Sequence, residues 1–211
     1  MVKTSILVSG GGTNLQAVID ARVFGELPGC EIVAVISSDP EAYALIRAKS
    51  ANLPCYVVER SLFPNELSYN TAVLQKLRDL DTELVVLAGY TQPIGDQLLR
   101  QYPNRIIDVW PSLLPAFAPA PDAPDPCEAA LRAGVRLSGA SAYFVAGAEG
   151  GPIILQQAVE VWEGDTARTL QRRIMEEAEW KLLPKAIHLF CQGRLRVEDG
   201  LVRTAAESLT R

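Results

Sequence analysis

"ILVSGGGTNLQAVID", residues 6–20, decides how this chain folds. Ile6, Leu7 and Val8 make a short apolar run, and Gly10, Gly11 and Gly12 stop it. Leu15, Val18, Ile19 and, further on, Val23 then share one face of a helix. Strand, glycine turn and helix in that order open a βαβ fold. The glycines let backbone N–H groups turn toward one point, and the helix N-terminus adds a partial positive charge there. Thr13 and Asn14 contribute a hydroxyl and an amide. Such a loop suits a phosphate monoester. No Lys-Ser/Thr follows the last glycine, so it is not a P-loop. Leu15 stands where the third glycine of a dinucleotide fingerprint would be. A plain tight turn would use the same residues, so spacing alone leaves both readings open.

The same alternation continues downstream. "CEIVAVISS" (30–38), "CYVVE" (55–59), "ELVVLAG" (83–89) and "RIIDV" (105–109) read as strands. Between them "EAYALIRAKSANLP" (41–54), "NELSYNTAVLQKLRDL" (65–80) and "DQLLRQYP" (96–103) read as helices, with Leu67, Val73, Leu74 and Leu77 facing inward on the second. Short connections between such units imply right-handed crossovers and a mostly parallel sheet, with ligands outside the carboxyl ends of the strands. After Trp110 the rhythm changes: residues 111–126 hold six prolines in sixteen positions, which predicts an irregular loop at a strand end. A short helix (127–134) and two antiparallel strands (135–145 and 152–162) come next. The long helix 165–193 should be capped by Asp165 or Thr166, kinked at Pro184 and ended by Gly193. A hairpin follows, turning at Asp199-Gly200. The fold class expected is α/β, a mostly parallel twisted sheet with flanking helices, then C-terminal antiparallel strands, a long helix and a hairpin, in a single domain over residues 1–211.

Composition narrows the function. The chain has 211 residues, 48% hydrophobic and 21% charged, with a net charge of -5, enough for a core and against nucleic-acid or membrane-surface binding. Four cysteines without CxxC spacing read as reduced thiols of a cytoplasmic protein. One histidine, His188, near the end of the long helix, excludes histidine metal clusters and a histidine triad by count, and no metal site is expected.

The blocks "VSGGGTNLQAVID", "VISSDPEAYALIRAKSANLP", "LVVLAGY", "RIIDVWPSLLPAF", "GPIILQQAVEV" and "GDTARTLQRRIMEEAEWKLLPKAI" resemble the phosphoribosylglycinamide formyltransferases along nearly the whole chain. The resemblance implies a formyltransferase-like Rossmann-type fold and formyl transfer from 10-formyltetrahydrofolate to glycinamide ribonucleotide. It implies a small phosphorylated ribonucleotide and a folate as ligands, no tightly bound cofactor, and a monomer or homodimer. Gly11, Gly12, Thr13 and Asn14 match the phosphate site, and Glu179 matches an acidic residue used on the ribonucleotide. Leu87, Tyr90, Gln92 and Ile94 match the folate wall, and Ala146 and Gly147 match the folate loop.

The reaction centre departs from the family pattern. Asp108 and Trp110 stand where the family has asparagine and histidine, and Glu149 replaces its aspartate. Cys127 and Tyr143 replace further histidines. Gln92 and Glu66 stand where the family has arginines. An ionised Asp108 has no proton to give to a developing oxyanion, and an indole N–H neither takes up nor releases a proton near neutral pH. Weak or absent transfer is therefore expected. A non-catalytic phosphoribonucleotide-binding or regulatory role, or altered chemistry through Asp108 and Glu149, are the alternatives. A cluster of Asp108, Glu149, Asp122 and Asp125 is a further possibility for a raised-pKa acid or a weak cation site.

Overall fold

The computed structural model describes residues 1–120, 123–147 and 150–205. The strands are β1 (Val2–Val8), β2 (Cys30–Ser37), β3 (Cys55–Val57), β4 (Leu84–Leu87), β5 (Ile106–Trp110), β6 (Leu137–Phe144), β7 (Ile153–Glu160), β8 (Leu195–Glu198) and β9 (Leu201–Thr204). The helices are α1 (Thr13–Val23), α2 (Tyr43–Ser50), α3 (Glu66–Asp79), α4 (Asp96–Gln101), α5 (Pro126–Ala133), α6 (Ala167–Ile174) and α7 (Trp180–Cys191).

One sheet runs β3-β2-β1-β4-β5-β6-β7. Its first five members pair in parallel, and β6 and β7 join antiparallel. The chain leaves β1 toward β2 on one side and returns to β4 on the other. The carboxyl ends of β1 and β4 thus border a crevice, the usual ligand position in such sheets. β8 and β9 form a separate hairpin, with Asp199 and Gly200 both at positive φ in the turn, as the Asp-Gly pair requires.

The core lies on both faces of the sheet because strand side chains alternate. Ile6 and Val8 face α1 and α7, packing with Leu15, Val18, Leu183 and Ile187. Leu7, Val85 and Leu87 face α3 and α4, packing with Tyr69, Val73, Leu77 and Leu98.

Three sequence expectations are corrected. Val23 and Leu67 are 72% and 71% exposed. Val23 ends α1 beyond the sheet, and in the first turns of α3 the inward face is taken by Tyr69 and Asn70. Asn70 is buried because it links α3 to α4: its amide donates to the carbonyls of Glu66 and Pro93 and accepts from the Gly95 N–H. The long helix is interrupted by one π turn, Met175–Glu179, upstream of Pro184, which sits inside α7. Its cap is Thr166, whose hydroxyl accepts from the Thr169 N–H. Asp165 instead grips Arg173 through two bonds of 2.7 Å.

Candidate active site

The glycine loop is held from behind by α2. The Gly10 carbonyl accepts from the Ala44 N–H at 3.0 Å, and the Gly11 carbonyl accepts from Arg47 Nε at 2.9 Å. Gly12, at the N-cap of α1, has φ 72°, and a Cβ there would lie 2.7 Å from the Ala44 Cβ. Glycine is thus required twice over, by backbone conformation and by close approach. Gly10 and Gly11 stand open, with no atom within 4 Å of where a Cβ would be. Arg47 brings a guanidinium to the loop, a cation that sequence reading passed over because it comes from the next helix.

Asn14 turns inward. It is buried, and its Nδ2 donates to Glu179 Oε2 at 2.9 Å, while its Oδ1 has no partner among the described residues. Glu179, 5% exposed, is the last residue of the π turn, so that irregular turn sets the carboxyl against α1. Burial pushes the Glu179 pKa up to about 7, against the pull of the Asn14 amide. The two residues lie 165 positions apart in sequence and meet under the loop.

Asp108 and Trp110 close β5. Asp108 Oδ1 accepts from the Val109 N–H at 2.8 Å, and Oδ2 accepts from the Tyr143 hydroxyl at 2.9 Å across the β5–β6 pair. Desolvation raises the Asp108 pKa to about 7; those two hydrogen bonds oppose it and the charge of Glu179 adds to it. Burial and the same aspartate keep the Tyr143 hydroxyl protonated. Trp110 Nε1 donates to the Phe117 carbonyl at 2.8 Å, and its ring packs in the cluster that holds Leu87 and Tyr143. Ser112 reinforces the same turn by donating to the Ala116 carbonyl at 2.6 Å. Ser141 fastens it to β6 by donating to the Ser112 carbonyl and accepting from the Leu114 N–H. The proline-rich stretch after β5 is therefore a bonded turn at its start. Cys127, fully buried, has its thiol pushed up to about 12 by burial and by Asp125 and Glu179.

The wall after β4 lies at the neighbouring strand end. Leu87 is buried, and Tyr90 and Ile94 pack against the same cluster as Trp110. The Tyr90 and Tyr69 hydroxyls share a hydrogen bond of 2.7 Å. Gln92 donates to the Thr91 hydroxyl. The Ala146 N–H bonds the Gly150 carbonyl, and Gly147 pairs with Gly150 in an antiparallel bridge. Glu149 and Asp122 lie outside the described residues. Asp125 serves as the N-cap of α5, accepting from the N–H groups of Cys127 and Glu128. Among the described residues no three His, Cys, Asp or Glu side chains gather as a metal site would need, and no helix is long and apolar enough to cross a membrane.

A groove of about 650 Å³ lies between α1 and α7 and shares Thr13 and Arg47 with the glycine loop, but neither Asp108 nor Trp110 lines it.

Loop, crevice and the β5 end together define a formyl transferase fold: the family described as "Formyl transferase" matches residues 2–187. The phosphoribosylglycinamide formyltransferase of Haemophilus influenzae is 35% identical, over 99% of this chain and 96% of its own length. That of Bacillus subtilis is 36% identical, over 89% and 93%. The crystal structure of glycinamide ribonucleotide transformylase 1 from Symbiobacterium toebii superposes with a TM-score of 0.91 at 40% identity, covering 98% of this chain and 95% of that one. The chain belongs to the phosphoribosylglycinamide formyltransferase family.

Proposed function

We propose that this chain is a phosphoribonucleotide-binding member of the family in which formyl transfer from 10-formyltetrahydrofolate to glycinamide ribonucleotide is strongly weakened. In this reading Gly11, Gly12 and Thr13 hold the phosphate, helped by Arg47. Asn14 and Glu179 take the ribonucleotide. Leu87, Tyr90, Gln92, Ile94, Ala146 and Gly147 are what remains of the folate wall, and Glu149 keeps a carboxylate where the family has one. The observation that carries the reading is the state of the two altered residues. The Trp110 N–H is committed to the Phe117 carbonyl, and both Asp108 oxygens accept hydrogen bonds from the protein. Losing an oxyanion donor costs roughly 10²–10³ in rate, and losing general acid–base help about 10²–10⁴. The two losses act on one transition state and do not simply multiply.

The raised pKa of Asp108 favours a second, narrower reading. A carboxyl that titrates near 7 is half protonated at neutral pH and then has an O–H to give. Any transfer that persists would run on this acid form and fall as pH rises through about 7.

The test is thermal-shift titration with glycinamide ribonucleotide and a folate separately, followed by single-turnover transfer beside an active relative. Glycinamide ribonucleotide should raise Tm, and transfer should be at least ~10²-fold slower than in the relative. Equal turnover would overturn the reading.

A further inference from the structure

Four cysteines are free, and two of them meet. Cys30 opens β2, and Cys191 ends α7, on the side of the molecule away from Asp108. Both are half-buried. Cys30 Sγ donates to the Thr4 hydroxyl at 3.4 Å, and the Cys191 thiol lies close enough to that of Cys30 for each to act on the other's ionisation. The backbone fixes the encounter. Gln192 Nε2 donates to the Pro28 carbonyl at 3.0 Å, pinning the end of α7 to the turn before β2. Gly29, inside that turn at φ 82°, passes so near that a Cβ on it would lie 4.0 Å from the Cys191 Cβ.

From this juxtaposition we infer that Cys30 and Cys191 form a peroxide-sensitive modification site, Cys30 attacking and Cys191 resolving. The inference does not rest on the formyl-transfer reading. The neighbours set the roles. The neighbouring Cys191 thiol, with help from Thr4 and Arg22, lowers the Cys30 pKa to about 7 against the effect of burial. The same pairing, together with burial, raises that of Cys191. Cys55 and Cys127 are raised by burial, so Cys30 alone carries much thiolate at neutral pH. The Cys30 thiolate attacks one peroxide oxygen, the O–O bond breaks, and hydroxide leaves and takes up a proton as water. The Cys191 sulfur then attacks the Cys30 sulfenic acid sulfur, the S–O bond breaks, and a second water departs with the Cys191 proton. Two thiols are oxidised by two electrons to one disulfide, and one peroxide is reduced to two waters.

The experiment uses the full reduced chain, one equivalent of hydrogen peroxide, rapid alkylation and peptide mapping. A linked peptide pair carrying Cys30 and Cys191 should form, with Cys55 and Cys127 still alkylated, and Cys30 should react at least ~10-fold faster than Cys55. In Cys191→Ser the reaction should stop at a Cys30 sulfenic acid that dimedone traps; in Cys30→Ser the same dose should leave Cys191 unoxidised. Equal reaction of Cys30 and Cys55, or a first disulfide that includes Cys55 or Cys127, would overturn the inference. So would formation of the Cys191 product without Cys30.

Discussion

Asp108 keeps a proton that an aspartate in water would have lost. Its folded pKa, about 7, lies above the ordinary value near 4, so between those pH values the folded chain binds more protons than the unfolded one. Stability from this group is complete below about pH 4 and is lost as pH rises through about 7. Asp108→Asn removes the ionisation. It should stabilise the protein at pH 8 by about 1–2 kcal/mol, allowing for solvent at this half-buried site, with the gain vanishing toward pH 4 in denaturant melts. Gly12→Ala tests the loop in the opposite direction. It places a methyl 2.7 Å from Ala44 in a left-handed backbone, so it should cost about 1–3 kcal/mol and abolish the thermal shift with glycinamide ribonucleotide. At this scale the sequence singles out Asp108, Trp110 and the glycines as candidates. It does not show that the Asn14 amide faces Glu179 or that Tyr143 holds Asp108, because such partners are set by strand pairing and helix packing between distant segments.

The joined helices α6 and α7 show what an element's own sequence can and cannot say. Apolar spacing and the Thr166 cap mark where α6 starts. The π turn carries no such mark, because its register is set by what α6 and α7 each pack against. Asp165 is the clearest case. As a residue it suits a cap, yet it is a clamp: it accepts from both terminal guanidinium nitrogens of Arg173 and from the Trp162 backbone N–H, while the Arg173 cation lies 3.5 Å over the Trp162 ring. Arg173 holds the Asp165 carboxyl well below the usual carboxylate range, so the clamp's contribution is complete above about pH 4 and fades only in strong acid. Asp165→Ala should lower unfolding free energy by about 2 kcal/mol at pH 7, read as a lower denaturation midpoint with an unchanged slope.

For the molecule as a whole, two inward carboxyls oppose this clamp. Asp108 and Glu179, both pushed up to about 7, weaken the fold as pH climbs from about 4.5 to 7, while Asp165 asks only that the pH stay above strong acid. Tm should therefore peak on the acid side of neutrality, and Asp108→Asn combined with Glu179→Gln should flatten the decline between pH 5 and 7. Strand and helix alternation made the parallel half of the sheet legible. The lateral order β3-β2-β1-β4 was not, since nothing within a strand names its neighbour. Arg47 was missed for the same reason: it reaches the loop only because β2 lies beside β1. The Trp110 tie also bears on what that position will accept. Trp110→His would take the 2.8 Å indole hydrogen bond from the Phe117 carbonyl, leave it only the Ser112 hydroxyl at 3.4 Å, and loosen the turn that follows at about 1 kcal/mol. A histidine installed there alone would therefore arrive on a slackened support, and the backbone after β5 would need a replacement tether before a new ring could be held still.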